Sequence, residues 1–228
     1  MFSKNIVFES RRYTGPTAPP AAVFEDKSRN PATCAITVAT WARQPSDIWA
    51  LSHNGATSLV TVTDAPKLQN IFDGGATVSA WIYPLSDGEG NLGSVASKSA
   101  YWDFRVSDEL DGFVRLNFRQ LFTGYSEWQT ANRVIPLASW SMVSVIYSST
   151  LITNDPVLVL NGVAQAITEN SLGVGIRQSD VGQNLILGNS NAVNRTFDGL
   201  ITLETMRKEV LSDTKVFKLF TGEQRWFQ

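Results

Sequence analysis

The chain has 228 residues, of which 43% are hydrophobic and 18% charged, a balance that supplies a sizeable core and excludes a chain too polar to fold. The formal net charge is −2 and no basic run occurs, which argues against nucleic acid, whose binding rests on many Lys/Arg–phosphate contacts. The single cysteine, Cys34, excludes an intrachain disulfide and so the disulfide-stapled class of secreted domain, though not secretion itself; no apolar run approaches the ~20 residues of a membrane-spanning helix.

The N-terminal stretch MFSKNIVFESRRYTGPTAPP has no apolar core of signal-peptide length, and its initial methionine is that expected of a complete product made inside the cell. YTGPTAPPAA, residues 13–22, holds three prolines. Proline fixes φ and lacks an amide donor, so this piece is extended or looped and outside any central strand. Residues 1–22 therefore read as an extended proline-rich arm and residues 23–228 as one β domain, since single all-β domains reach ~200–250 residues. Two roles are open for the arm: a loose tail or edge strand, or a segment docked on a neighbouring subunit.

From Cys34 onward, short runs rich in Val, Ile, Thr and aromatics recur between turn residues: CAITVATWA, TSLVTVT, ATVSAWIY, YWDFRVS, GFVRLNF, SMVSVIYS, PVLVLNG and NLILG. In ATVSAWIY, Val78, Ala80 and Ile82 point one way and Thr77, Ser79, Trp81 and Tyr83 the other, the period of a pleated strand. Asn161-Gly162 separates two β-prone runs and tolerates the positive φ of a hairpin turn. One helix is expected in SDTKVFKLFTG, with Ser212 as cap, Val216, Leu219 and Phe220 on one face, and Gly222 as terminator. The expected architecture is all-β: two packed antiparallel sheets with one short C-terminal helix. Trp41, Trp81 and Trp140 lie inside strand-like runs and read as core or sheet-face fillers.

WALSHNGATSLVTVTDAPKL resembles the segment ALSFDGxxDYVTVPDSPSL of laminin-G-like, concanavalin A-like jelly-roll domains, and FDGGATVSAWIYP resembles the strand that follows it, FTISAWVYP. EDKSRNPATC is similar to the family's DxSGNGNxGT, and GLITLETMRKEVLSDTKVFKLF to GxIDEVRIYNRALSDAEIxxLY. With LILGN and FDG, these matches keep the family's order from about residue 24 to residue 220. The resemblance implies a concanavalin A-like β-sandwich of two curved sheets. Departures are Ile201-Thr202-Leu203 in place of IDE, Arg29 in place of a glycine, and His53-Asn54 where the family often has Phe-Asp.

Glycosidases on related jelly rolls use paired carboxylates. The nearest candidate, SDELDG with Asp108, Glu109 and Asp111, lacks the third acid of ExDxxE and reads as a turn. His53 is the only histidine and lies in a turn-like flank, and Cys34 has no CxxC or His partner, so a triad, a zinc site and a nucleotide loop all lack support. No cofactor is expected from the residues themselves. The resemblance implies a structural calcium, whose ligands here would be Asp26, Asn30 and Asp198. Tyr101, Trp102, Tyr125 and Trp128 stand next to predicted loops, as aromatic contacts for carbohydrate or protein. Asn194-Arg195-Thr196 is a glycosylation sequon, relevant only on a eukaryotic secretory route.

The expectation for function is therefore not an enzyme but a structural or interaction protein. Domains that resemble this one are found among bacteriophage virion components, which decorate capsids or fibres. That implies virion or scaffold proteins as partners, a homo-oligomer or a docked subunit, possible contact with host glycans, and no membrane insertion. The location would be the virion, assembled in the host cytoplasm, or alternatively extracellular. A lectin-like carbohydrate-binding module is the alternative function, and a glycoside hydrolase or polysaccharide lyase would need an acid pair.

Overall fold

A computed structural model describes residues 5–227. In chain order the strands are β1 (Ile6–Glu9), β2 (Cys34–Thr37), β3 (Thr40–Arg43), β4 (Trp49–Asn54), β5 (Leu59–Val62), β6 (Ala76–Pro84), β7 (Leu92–Lys98), β8 (Trp102–Leu110), β9 (Phe113–Leu121) and β10 (Tyr125–Thr130). They continue with β11 (Ile135–Pro136), β12 (Ser141–Tyr147), β13 (Val157–Leu160), β14 (Val163–Ala164), β15 (Ile167–Ser171), β16 (Leu185–Leu187) and β17 (Asp198–Arg207), followed by helix α1 (Asp213–Glu223). One sheet runs β14-β13-β12-β6-β17-β4-β3, with β1 also paired to β17; the other runs β15-β10-β9-β8-β7-β16-β5-β2, with β11 beside β9. All of these pairings are antiparallel. The fold is an antiparallel β-sandwich with one short C-terminal helix.

Alternation along each strand sends one set of side chains between the sheets. From β6, Val78, Ala80 and Ile82 enter the main core, while Trp81 faces the opposite side. Phe72, Trp102, Phe118, Trp128 and Tyr147 form an aromatic centre in that core, with ring centroids 5.2–6.2 Å apart, the offset and edge-on spacing at which such rings attract. Trp102 and Trp128 were expected as exposed contacts. They are instead 1% and 0% exposed, because they stand on the core-facing positions of β8 and β10. Trp128 gives its indole N–H to Asp155 Oδ1 at 2.9 Å.

A second core lies on the far side of the first sheet. Helix α1 covers Trp81, Met142, Ile146, Val159 and Leu203 with Val216, assisted by Leu219 and Phe220. Trp81 donates to Glu223 Oε2 at 2.7 Å and stacks on Phe227 at 4.1 Å. The aromatic C-terminus is therefore packed on the chain's own sheet. Ser212 takes the N-cap position without a side-chain bond, and Gly222 lies inside the helix rather than ending it. The Asn161-Gly162 turn has φ of 50° and 78°, the double positive φ of a type I′ hairpin, and joins Leu160 to Val163.

The segment expected as an arm contributes β1, which pairs Phe8 with Met206 and Glu9 with Thr205. Phe8 is fully buried, and Tyr13 is buried too. Its proline-rich continuation is held by Trp49, whose backbone N–H bonds to Tyr13 O and whose indole N–H bonds to Gly15 O, both at 2.9 Å. β17 is shared by two strands along one edge: Asp198–Ile201 pairs with β4, and Thr205–Arg207 with β1. The change of partner falls at a bulge where Leu203 has φ 54°.

Candidate binding surface

On the second sheet the outward-facing residues at the middle of β8, β9 and β10 are polar. Register sets Asp103 opposite Arg119 and Arg119 opposite Glu127, and sets Arg105 opposite Asn117 and Asn117 opposite Gln129. These side chains form a network. Arg105 donates to Asp103 Oδ2 at 3.1 Å and to Glu127 Oε1 at 3.0 Å. Ser94 donates to Asp103 Oδ1 at 2.7 Å, Arg195 to Asp103 Oδ2 at 2.8 Å, and Asn117 to Glu127 Oε1 at 3.1 Å. Asp103 and Arg105 are buried, and charge-assisted bonds of this kind are what makes buried charges tolerable.

The loop 189–196 helps to roof this network. Asn189, fully buried, accepts from the backbone N–H groups of Ser190 and Arg195 and donates to Thr196 Oγ1 and Ser58 O. Arg195 is thereby aimed at Asp103. Beside it, Ser99, Ala100, Arg119, Tyr125, Asn191 and Asn194, with Arg195, surround a cavity of about 250 Å³. Tyr125 is 36% exposed, and the Arg119 guanidinium sits 4.1 Å from its ring centroid.

Of the four expected aromatic contacts, Tyr125 alone presents its ring at the surface; Tyr101 is half-buried against the main core, and the two tryptophans lie within it. Arg119 escaped prediction as a site, because its neighbours come from cross-strand register; Asn194 and Arg195 were read only as part of a glycosylation sequon, because the loop that carries them meets β8 only in the folded chain.

The expected calcium ligands do not converge. Asp26 is buried and accepts from the amides of Ser28 at 2.9 Å and Ala32 at 2.8 Å and from the Lys67 ammonium. Burial works against its ionisation, but Lys67 and those amides outweigh it and hold the carboxyl below its ordinary value. Asp26 is thus paired with a cation of the chain itself. Asn30 is exposed. Asp198 accepts from Ser86 at 2.8 Å and lies six residues from Glu204, beside which Ser10 and Asp26 are bridged; that is about 20 Å along β17 at roughly 3.3 Å per residue. Among the described residues, no group of three His, Cys, Asp or Glu side chains is placed to hold a metal.

Asp108 bonds Arg115 at 2.6 Å and Arg133 at 2.7 Å, and Asp111-Gly112 turns with φ of 54° and 79°, which is turn chemistry. His53 is buried; burial pushes it down to about 4, so its imidazole is neutral at pH 7. Cys34 is half-buried, and burial pushes its thiol up to about 12, which makes it a poor nucleophile.

The family model described as Laminin_G_3, concanavalin A-like lectin/glucanases superfamily, matches residues 54–216. The chain belongs to that family. Its fold is similar to the binding domain of Paraclostridial Mosquitocidal Protein 1, at 15% identity and a TM-score of 0.67, covering 96% of this chain and 52% of that one. It is also similar to the botulinum neurotoxin serotype D binding domain (12%, 0.66, 96% and 52%) and the serotype G binding domain (13%, 0.66, 96% and 51%). The chain spans about half the length of these structures. Among curated proteins, no sequence matches.

Proposed function

We propose that the chain is a non-catalytic structural and interaction domain that uses the outer face of the second sheet as its contact surface, as a component of a bacteriophage virion. In that setting it decorates a capsid or fibre, alone or as a homo-oligomer, and meets neighbouring subunits or host glycans. The observation that carries the non-catalytic reading is Arg105. Asp103 and Glu127 are carboxylates at the same level of β8 and β10, the pair that a glycosidase reading of this face would have to use as acid and as base or nucleophile. Both accept from Arg105, which ties the two carboxylates to one structural cation. The fold supports a binding role, since the similar structures are binding domains by name. The virion setting rests on the family resemblance in the sequence. Among the described residues no helix is long and apolar enough to cross a membrane.

Incubation with a panel of polysaccharides is expected to release no reducing ends or unsaturated products. Turnover that Asp103→Asn abolishes would replace this reading with a hydrolase or lyase. Gold-labelled antibody on purified particles is expected to place the chain on the capsid or fibre; particles free of it would overturn the virion setting. The second reading, a lectin-like module acting outside the cell, is favoured by the cavity at Arg119 and Tyr125.

A further inference from the structure

The outer network contains three guanidinium groups and two carboxylates. Arg105 satisfies both Asp103 and Glu127, and Arg195 adds a second cation to Asp103. Arg119 stands directly between the two acids in register, yet among the described residues it forms no ion pair; Tyr125 supplies its ring face, and its buried Nε has no acceptor. Burial first, and then the cations Arg195 and Arg105 against an opposing effect of Asp103, push Arg119 below its ordinary value. A half-buried guanidinium with donors to spare and no ion pair of its own, in a row where three guanidiniums face two carboxylates that are already bonded to the other two, is an incomplete site, because buried cations are ordinarily paired.

The rest of the cavity wall states what would complete it. Ser99, Ser190, Asn191 and Asn194 contribute hydroxyl and amide groups, and the apolar lining is limited to Ala100, Ala192 and the Tyr125 ring. Such a wall lacks the large apolar recesses that anchor a peptide side chain and suits a ligand bearing many hydroxyls. We propose that this cavity binds an acidic saccharide, its carboxylate on Arg119 and its hydroxyls on Asn191, Asn194, Ser99 and Ser190. The inference rests on the binding-domain reading and narrows the ligand to a carboxylate-bearing sugar. A guanidinium matches a carboxylate in shape and charge.

Calorimetric titration of the full chain with tetragalacturonate, cellotetraose, a tetraglutamate peptide and inorganic sulfate tests it. The expected result is saturable binding of tetragalacturonate alone, weakening as salt is raised from roughly 0.05 to 0.5 M because the contact is ionic. Arg119→Met, its folding checked by thermal melting, is expected to weaken that binding about 10–100-fold, as loss of a bond to a charged group does, and Arg119→Lys to restore part of it. Should Arg119→Met fail to fold, the salt series on the unaltered chain decides the point: affinity indifferent to salt overturns the ionic contact. Equal binding of cellotetraose, or no effect of Arg119→Met, overturns the acidic site while leaving a binding domain in place. Tetraglutamate bound as well or better overturns the sugar class, sulfate bound as tightly reduces the site to a simple anion hole, and no binding of tetragalacturonate overturns the inference outright. None of these outcomes bears on particle labelling, which tests the virion setting separately.

Discussion

Gly188 has φ 72°, and a Cβ there would lie 2.0 Å from His53 Cε1. The imidazole lies against the glycine backbone, edge-on to Phe197 with centroids 6.5 Å apart, and its Nδ1 is 3.4 Å from Ser58 Oγ. The only histidine is thus a packing residue kept neutral by burial. Gly188→Ala is expected to cost about 2–4 kcal/mol, from left-handed backbone strain plus overpacking, read as a lowered urea midpoint. Gly182→Ala is the control, since Gly182 has φ 82° but nothing within 4 Å of a Cβ; it should lose only about 1 kcal/mol. That His53 has no triad was legible from the missing partners. That a glycine far along the chain had to make room for it was not, because the two meet only after β4 and the strand before 188 are assembled.

At the scale of elements, β1 and β17 carry the largest surprise. NIVFES ends in polar residues and precedes a proline-rich stretch, so alone it resembles a tail. Its partner lies about 200 residues downstream, and such long-range pairing leaves no local trace. Phe8→Ala is expected to cost about 3–5 kcal/mol, as for a large aromatic removed from a core. Deleting residues 1–22 is expected to lower the melting temperature markedly rather than leave the sandwich intact, as a detachable arm would. At the bulge, Ser10 Oγ donates to Glu204 Oε2 at 2.6 Å, the Glu204 N–H donates to Ser10 Oγ at 3.0 Å, and Glu204 Oε1 is buried without a partner among the described residues. Burial raises Glu204, against the opposing bond from Ser10. A carboxyl raised on folding contributes stability that is present below its unfolded value and lost as pH climbs through the folded value. Thermal melts from about pH 4 upward, near the ordinary Glu value, should therefore show the unaltered chain losing stability relative to Glu204→Gln as pH rises.

For the whole molecule, the aromatic residues divide between two cores. Trp102→Ala and Trp128→Ala are each expected to cost about 3–5 kcal/mol in urea unfolding, because both stand in the central ring cluster. Lowered glycan or partner affinity in a fully stable Trp128→Ala variant would count against that placement. SAYWDF and TGYSEWQT sit beside turns, where a tryptophan reads as exposed. Yet the phase of alternation, which decides inside from outside, is set by which neighbour strand pairs and in which register. A one-residue slip of β8 would have placed Trp102 outside and Asp103 in the core.

The sequence by itself determined the two-sheet sandwich, its hairpin at Asn161-Gly162, the C-terminal helix and the lack of a zinc or triad motif, because alternation, turn chemistry and capping are local properties of neighbouring residues. Only the tertiary structure decided which aromatics are buried, that the N-terminal segment belongs to the first sheet, that Lys67 pairs with Asp26, and that Asp103, Arg119 and Glu127 stand in one row. Those facts depend on register between strands and on contacts up to about 200 residues apart. No local pattern encodes them, since they exist only once the sheets have closed on one another.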